Sequence, residues 1–152
     1  MAIHPLPQPS FERRIPLRLL AYWEKLRQGR PMPAEGDIVP DDIHDVWDSC
    51  FLIHVKKVKP PHYQYSYLGR EIIEAYGGGL PENDPDAVIT PHAGMIDGYM
   101  TVLQTGKPLI ESGEFTNTQN QAVKYRQCLL PLGEGDEVQA IFGALHVRVF
   151  PS

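Results

Sequence analysis

The sequence predicts one α+β domain built on a mainly antiparallel sheet. Three observations carry that reading. Strand-like runs fall into two groups, CFLIHV and YQYSYL early in the chain, then LIESGEFTN, AVKYRQCLLPL and VQAIFGALHVRVF near its end. Helical periodicity lies before and between these groups, whereas a doubly wound domain would alternate strand and helix throughout. The GEGD between the last two runs is a hairpin turn signal.

Along the chain, residues 1–14 are proline-rich with little periodicity and read as an arm. A helix is expected from Pro16, a residue suited to the first helical position, with Ile15, Leu19, Tyr22, Trp23 and Leu26 at helical spacing and Gly29 ending it. RPMPAEGDIVP (30–40) is too rich in proline for regular structure. Asp41 or Asp42 is placed to cap a short helix carrying Ile43, Val46 and Trp47. Residues 15–48 thus form a helical cap, and residues 50–150 the core of a domain spanning 15–150.

In CFLIHV, Phe51, Ile53 and Val55 alternate with Leu52, His54 and Lys56, as in a strand with one buried face. After the KPPH turn, YQYSYL puts Tyr63, Tyr65 and Tyr67 on one face of its partner. GREIIEAYGGG reads as two helical turns stopped by Gly77, the left-handed residue past a helix end. These glycines follow the helix, where carbonyls emerge, so they do not form a phosphate-binding loop, which must precede one. Gly78 and Gly79 then read as a hinge. Thr90 and Pro91 open a longer helix with Met95, Ile96, Tyr99, Met100 and Leu103 as its apolar stripe, and TGKP stops it. In the last strand Ile141, Leu145, Val147 and Val149 share one face, and His146 and Arg148 the other.

Net charge is −5, which argues against generic nucleic-acid binding, since such proteins need a basic surface. The N-terminus lacks the apolar region of a signal peptide, and no run approaches the roughly 18 apolar residues of a membrane span. Cys50 and Cys128 fit no metal or redox spacing, and a cytoplasmic location with buried structural thiols is expected.

Three stretches resemble a family of short, single-domain PAS proteins from alphaproteobacteria. LLAYWEKLRQGRPMPAEGDIVPDDI (19–43) is similar to the family's entry segment, YQYSYLGREIIEAYGGGL (63–80) to its second strand and following helix, and QCLLPLGEGDEVQAIFG (127–143) to its last hairpin. One departure is Glu35, near where the family often carries an arginine after the proline aligned with Pro33. The resemblance implies a PAS-like, five-stranded antiparallel sheet with short helices on one face, an N-terminal amphipathic helix, and a small-molecule pocket between sheet and helices. It also implies sensory or adaptor work rather than catalysis. With no output module in the chain, the signal is expected to pass to a partner protein.

Within that frame Tyr65, Tyr67, Tyr76, Met95 and Tyr99 are the candidate ligand-binding residues, since aromatic walls with polar tips suit small ligands. The bland alternative is that they are ordinary core and strand aromatics. Arg126 joins them as a cation able to select an acidic ligand, or else faces solvent on the other side of the sheet. Cys128 completes the candidate ligand-binding set as a structural thiol rather than a nucleophile, because a nucleophile needs a nearby base and none is apparent. The six histidines (His4, His44, His54, His62, His92 and His146) show no metal-ligand spacing. His92 alone does not argue for haem, and neither cysteine has the Asn-Cys-Arg-type helix context of the covalent flavin photosensors. No cofactor, metal or catalytic residue is therefore assigned.

The acidic set Glu35, Asp37, Asp41, Asp42, Asp45 and Asp48 follows a basic segment (Arg13, Arg14, Arg18, Lys25, Arg27, Arg30), which predicts complementarity inside the cap or across a dimer. Leu19, Trp23 and Leu26 pack either on the domain's own sheet or on a second subunit, and a homodimer is the expectation. The function expected is binding of a small molecule, a partner protein or both in signalling. The alternatives are a small enzyme using His92 or carboxylates in the cupped pocket, and a ligand-free dimeric scaffold.

Overall fold

In a computed structural model of the chain, residues 11–56, 61–77 and 93–150 are described. Helix α1 (Phe11–Arg27) precedes two 3₁₀ segments, Glu35–Asp37 and Pro40–Ser49. Strands β1 (Cys50–Lys56) and β2 (His62–Leu68) follow, then helices α2 (Arg70–Ala75) and α3 (Ala93–Thr105), and strands β3 (Leu109–Thr116), β4 (Ala122–Glu134) and β5 (Glu137–Phe150). The five strands form one sheet in the order β2-β1-β5-β4-β3, every pair antiparallel.

Helix α1 begins at Phe11 rather than Pro16, which sits within it. Proline there forgoes one backbone bond but does not stop the helix, and the turns after it pack well: Leu19 is fully buried and Trp23 nearly so. The end comes where expected, with Gln28 and Gly29 both at positive φ. The second helix is a 3₁₀ segment kinked at Ile43, not an Asp-capped helix. Val39 is its N-cap, Pro40 takes the first position, and Asp42 instead accepts a hydrogen bond from the Tyr22 hydroxyl.

Alternation assigns the two faces of the sheet. Odd-numbered residues of β4 and β5, such as Tyr125, Gln127, Leu129, Ile141 and Leu145, register with Phe51 and Ile53 of β1. Their neighbours Cys128, Leu130, Phe142 and Ala144 register with Cys50 and Leu52 on the opposite face. Helix α1 lies on β4 and β5 over this second face, where the Trp23 indole donates to the Pro131 carbonyl at 2.8 Å. Trp47 stacks on Tyr67 at 4.4 Å and near Phe142 at 6.2 Å on the same side. With both faces covered, Gln127 to Gly133 and Ala140 to Leu145 are buried continuously.

The expected single face of Tyr63, Tyr65 and Tyr67 is broken. Ile53 pairs with Tyr65 but Leu52 pairs with Tyr67, so Ser66 is an extra residue in β2. A bulge of this kind inverts the side-chain parity beyond it. Tyr67 therefore turns to the α1 side, while Tyr63 and Tyr65 stay on the helix α2–α3 side. In α3 the buried stripe is Met95, Tyr99 and Val102; Met100 is 40% exposed, because positions i, i+4 and i+7 lie on one face and i+5 does not.

Candidate functional site

On the face of the sheet under α2 and α3, three tyrosines from three elements converge. Strand β2 contributes Tyr65, the C-cap of α2 contributes Tyr76, and α3 contributes Tyr99. The Tyr65 hydroxyl lies 3.3 Å from that of Tyr76 and 3.3 Å from that of Tyr99. Met95 lies one turn before Tyr99, and its sulfur accepts from the Tyr76 hydroxyl at 3.5 Å and from Tyr99 at 4.0 Å. Around this hub Phe51 meets Tyr65 edge-on, Tyr63 tilts against Tyr99, and Phe115 packs between Tyr76 and Tyr125. All of these aromatic residues are buried.

Burial pushes the phenols of Tyr65, Tyr76 and Tyr99 up from their ordinary value, so each is neutral at physiological pH. Neutral hydroxyls in such a cluster hydrogen-bond; they do not supply a nucleophile. Two further polar atoms on this face are buried without a hydrogen-bond partner among the described residues, the Tyr63 hydroxyl and the Gln127 Oε1. Gln127 is fully buried and its amide donates to the Glu111 carboxylate at 2.7 Å. Glu111 in turn lies against Gly98 of α3, where a β-carbon would fall 2.2 Å from its oxygen.

The C-terminal end of α2 is held by the turn between β3 and β4. Asn117 donates to the Ala75 carbonyl at 3.1 Å, Thr118 to that of Tyr76 at 3.0 Å, and Gln119 to that of Gly77 at 3.1 Å. These three side chains satisfy carbonyls that a helix end leaves open. Gly77 has φ +104, the left-handed conformation expected of it. Gly78, Gly79, Thr90, Pro91 and His92 lie outside the described residues, as does the hinge read into the glycines.

Of the predicted ligand-binding residues, the structure brings together Tyr65, Tyr76, Met95 and Tyr99. It places Tyr67, Arg126 and Cys128 on the other face. Tyr67 goes there through the bulge, and its hydroxyl donates to the Trp47 carbonyl at 3.0 Å. Arg126 and Cys128 go there by parity, since Tyr125 and Gln127 face inward. Cys128 is fully buried under the cap, and burial pushes its thiol up to about 12, as it does that of Cys50. Sequence reasoning missed Tyr63, Glu111, Tyr125 and Gln127. Alternation from Val123 through Tyr125 to Gln127 was the available signal, masked because β4 is apolar on both faces near its centre.

Leu19 and Trp23 are covered by this chain's own sheet, and Leu26 is half-buried. The cap charges do pair within the chain: Arg18 with Asp45, and Arg30 with Asp37 at 2.8 Å. Among the described residues no group of three or more His, Cys, Asp or Glu is placed to hold a metal ion, and no helix is long and apolar enough to cross a membrane.

Among solved structures, the LOV protein of Rhodobacter sphaeroides aligns at 9% identity over 72% of this chain and 68% of its own, with TM-score 0.48. A single-residue variant of RsLOV aligns at 14% identity over 70% and 66%, with TM-score 0.47. No curated protein sequence matches. The family model described as PAS domain matches residues 13–146, which take in α1, the whole sheet to His146 and the tyrosine hub, and the chain belongs to the PAS domain family.

Proposed function

We propose that this PAS domain is a non-catalytic sensory or adaptor module whose helix-side interior takes a small polar ligand. The observation that carries the reading is the pair of unsatisfied buried atoms, Tyr63 Oη and Gln127 Oε1, on the face that holds the tyrosine hub. A buried polar atom without a partner costs about 1–3 kcal/mol, and a ligand bearing a donor for the amide oxygen would relieve it. Catalysis draws no support from the buried thiols, which stay protonated near neutral pH and lie on the opposite face. The reading invokes neither haem nor a covalently attached flavin.

A second reading, a ligand-free scaffold, is favoured by Tyr99 and Met95, which are 0% and 1% exposed and fill the space between sheet and helices with the chain's own atoms. In either case the output passes to a partner protein. The homodimer expected from α1 loses the support of Leu19 and Trp23, which the chain buries by itself.

Native mass spectrometry of the purified protein separates the two. The sensor reading expects a mass excess over the denatured chain, lost in Gln127→Leu. No excess, together with no thermal shift across a panel of polar metabolites, overturns it in favour of the scaffold.

A further inference from the structure

Beyond the hub, the opposite face of the β3–β4–β5 end carries a feature unrelated to the tyrosines. Lys124 registers directly with Arg148, and Arg126 with His146. Two strands by two positions thus place two guanidiniums, an ammonium and an imidazole in one block. Its backbone spacing is about 5 Å across the strands and roughly 7 Å along them. Together with Ser112, opposite Arg126 on β3, they line a groove of about 280 Å³. Arg126 is half-buried in it.

These cations differ from the paired arginines of the cap and of α2. Arg18, Arg27, Arg30 and Arg70 each have a carboxylate partner. Among the described residues Lys124, Arg126 and Arg148 have no ion pair; Lys25, Lys56 and Lys107 have none either, but only these three share one groove, on a chain whose net charge is −5. Glu114 registers opposite Lys124, yet the ammonium sits over the Phe150 ring at 5.3 Å instead. Like charges directly across a ladder are destabilising, and here Lys124 faces Arg148. An anion bound between them would offset that repulsion.

We infer that this groove binds a small dianion of the phosphate class. Two guanidiniums suit tetrahedral oxyanions through paired N–H donors, and the Ser112 hydroxyl adds a neutral one. The size of the patch selects against an extended acidic peptide. Along β4 the basic positions on this face end at Cys128, buried under the cap, and at Ala122, opposite Phe150.

The full chain, isotopically labelled, is titrated with inorganic phosphate and with glycerol phosphate at constant ionic strength, and followed by amide chemical shifts. Saturable shifts centred on Ser112, Lys124, Arg126, His146 and Arg148 are expected. Stronger binding of the monoester than of free phosphate identifies an organic ligand, and the reverse identifies the free ion. Arg126→Gln and Arg148→Gln should each weaken binding about tenfold or more, as loss of a charge-assisted bond does. Arg148 is exposed, so its variant carries the test if Arg126→Gln fails to fold. Non-saturable shifts, shifts centred elsewhere, unchanged affinity in the folded variants, or binding of an oligoglutamate peptide without phosphate would each overturn the assignment.

Discussion

At the scale of single residues, the buried titratable groups define how the protein responds to alkali. The Cys50 and Cys128 thiols rise from 9.0 to about 12, chiefly through burial, and Cys50 also through its proximity to Cys128. The phenols of Tyr65, Tyr76 and Tyr99 move the same way from 10.0. Each group is raised in the folded state and neutral when protonated. Its contribution to stability is therefore complete below the unfolded value near 9 or 10 and is lost as pH rises through the folded one. Urea midpoints should be flat to about pH 9 and fall steeply toward pH 12. At pH 8 a thiol reagent should label neither cysteine without unfolding. Rapid labelling of the native chain would contradict the burial assigned to both. Residue identity alone already pointed to structural thiols, but it placed Cys128 beside the hub, when one step of parity puts it on the far face.

At the scale of elements, α2 is tied to the β3–β4 turn by three side-chain hydrogen bonds to its C-terminal end. Gly77 cannot accept a side chain: φ is +104, and a β-carbon would sit 2.1 Å from the Thr118 hydroxyl. Gly135 also has positive φ, at +58, but nothing lies within 4 Å of the same position. Gly77→Ala should thus cost about 1–3 kcal/mol, combining backbone strain with displacement of Thr118, whereas Gly135→Ala costs only about 1. Chemical denaturation of the two variants decides it, and equal losses would mean that the Thr118 contact contributes nothing. The left-handed role of Gly77 was readable from its place after an apolar-periodic run. Its capping partners, 40 or so residues later in sequence, were not, since hydrogen bonds to α2 carbonyls leave no periodic trace.

At the scale of the whole molecule, the cap and sheet are joined by an apolar seam and edged by charge. Leu19, Trp23 and Ile43 are buried in the core, while Arg18–Asp45 and Arg30–Asp37 lie at the surface and contribute weakly because solvent screens them. Both carboxyls are held below the ordinary 3.8. For Asp37 the Ala34 amide acts first, then Arg30; for Asp45 the Arg18 guanidinium is the cause. Their contribution is present above that value and is lost as pH falls through the lower folded one. Arg18→Glu should produce a small loss of stability that added salt abolishes, and Arg18→Glu with Asp45→Arg should restore it. A single reversal with no effect at low salt would show that the pairing is incidental.

The sequence by itself determined the fold class, the order of the elements, the complementarity of the cap charges and the helix stop at Gly77. Each of these is written locally, in periodicity, turn residues or runs of charge. Only the tertiary structure decided which side of the sheet each side chain occupies. Ser66 as an extra residue sent Tyr67 to the cap. The burial of β4 on both faces removed the polar alternation that would have separated Gln127 from Arg126 and Cys128. Covering of α1 by the chain's own sheet took Leu19 and Trp23 out of reach of a partner. Parity in a strand has a period of two, so one inserted residue or one doubly buried stretch leaves the composition unchanged and reverses the assignment.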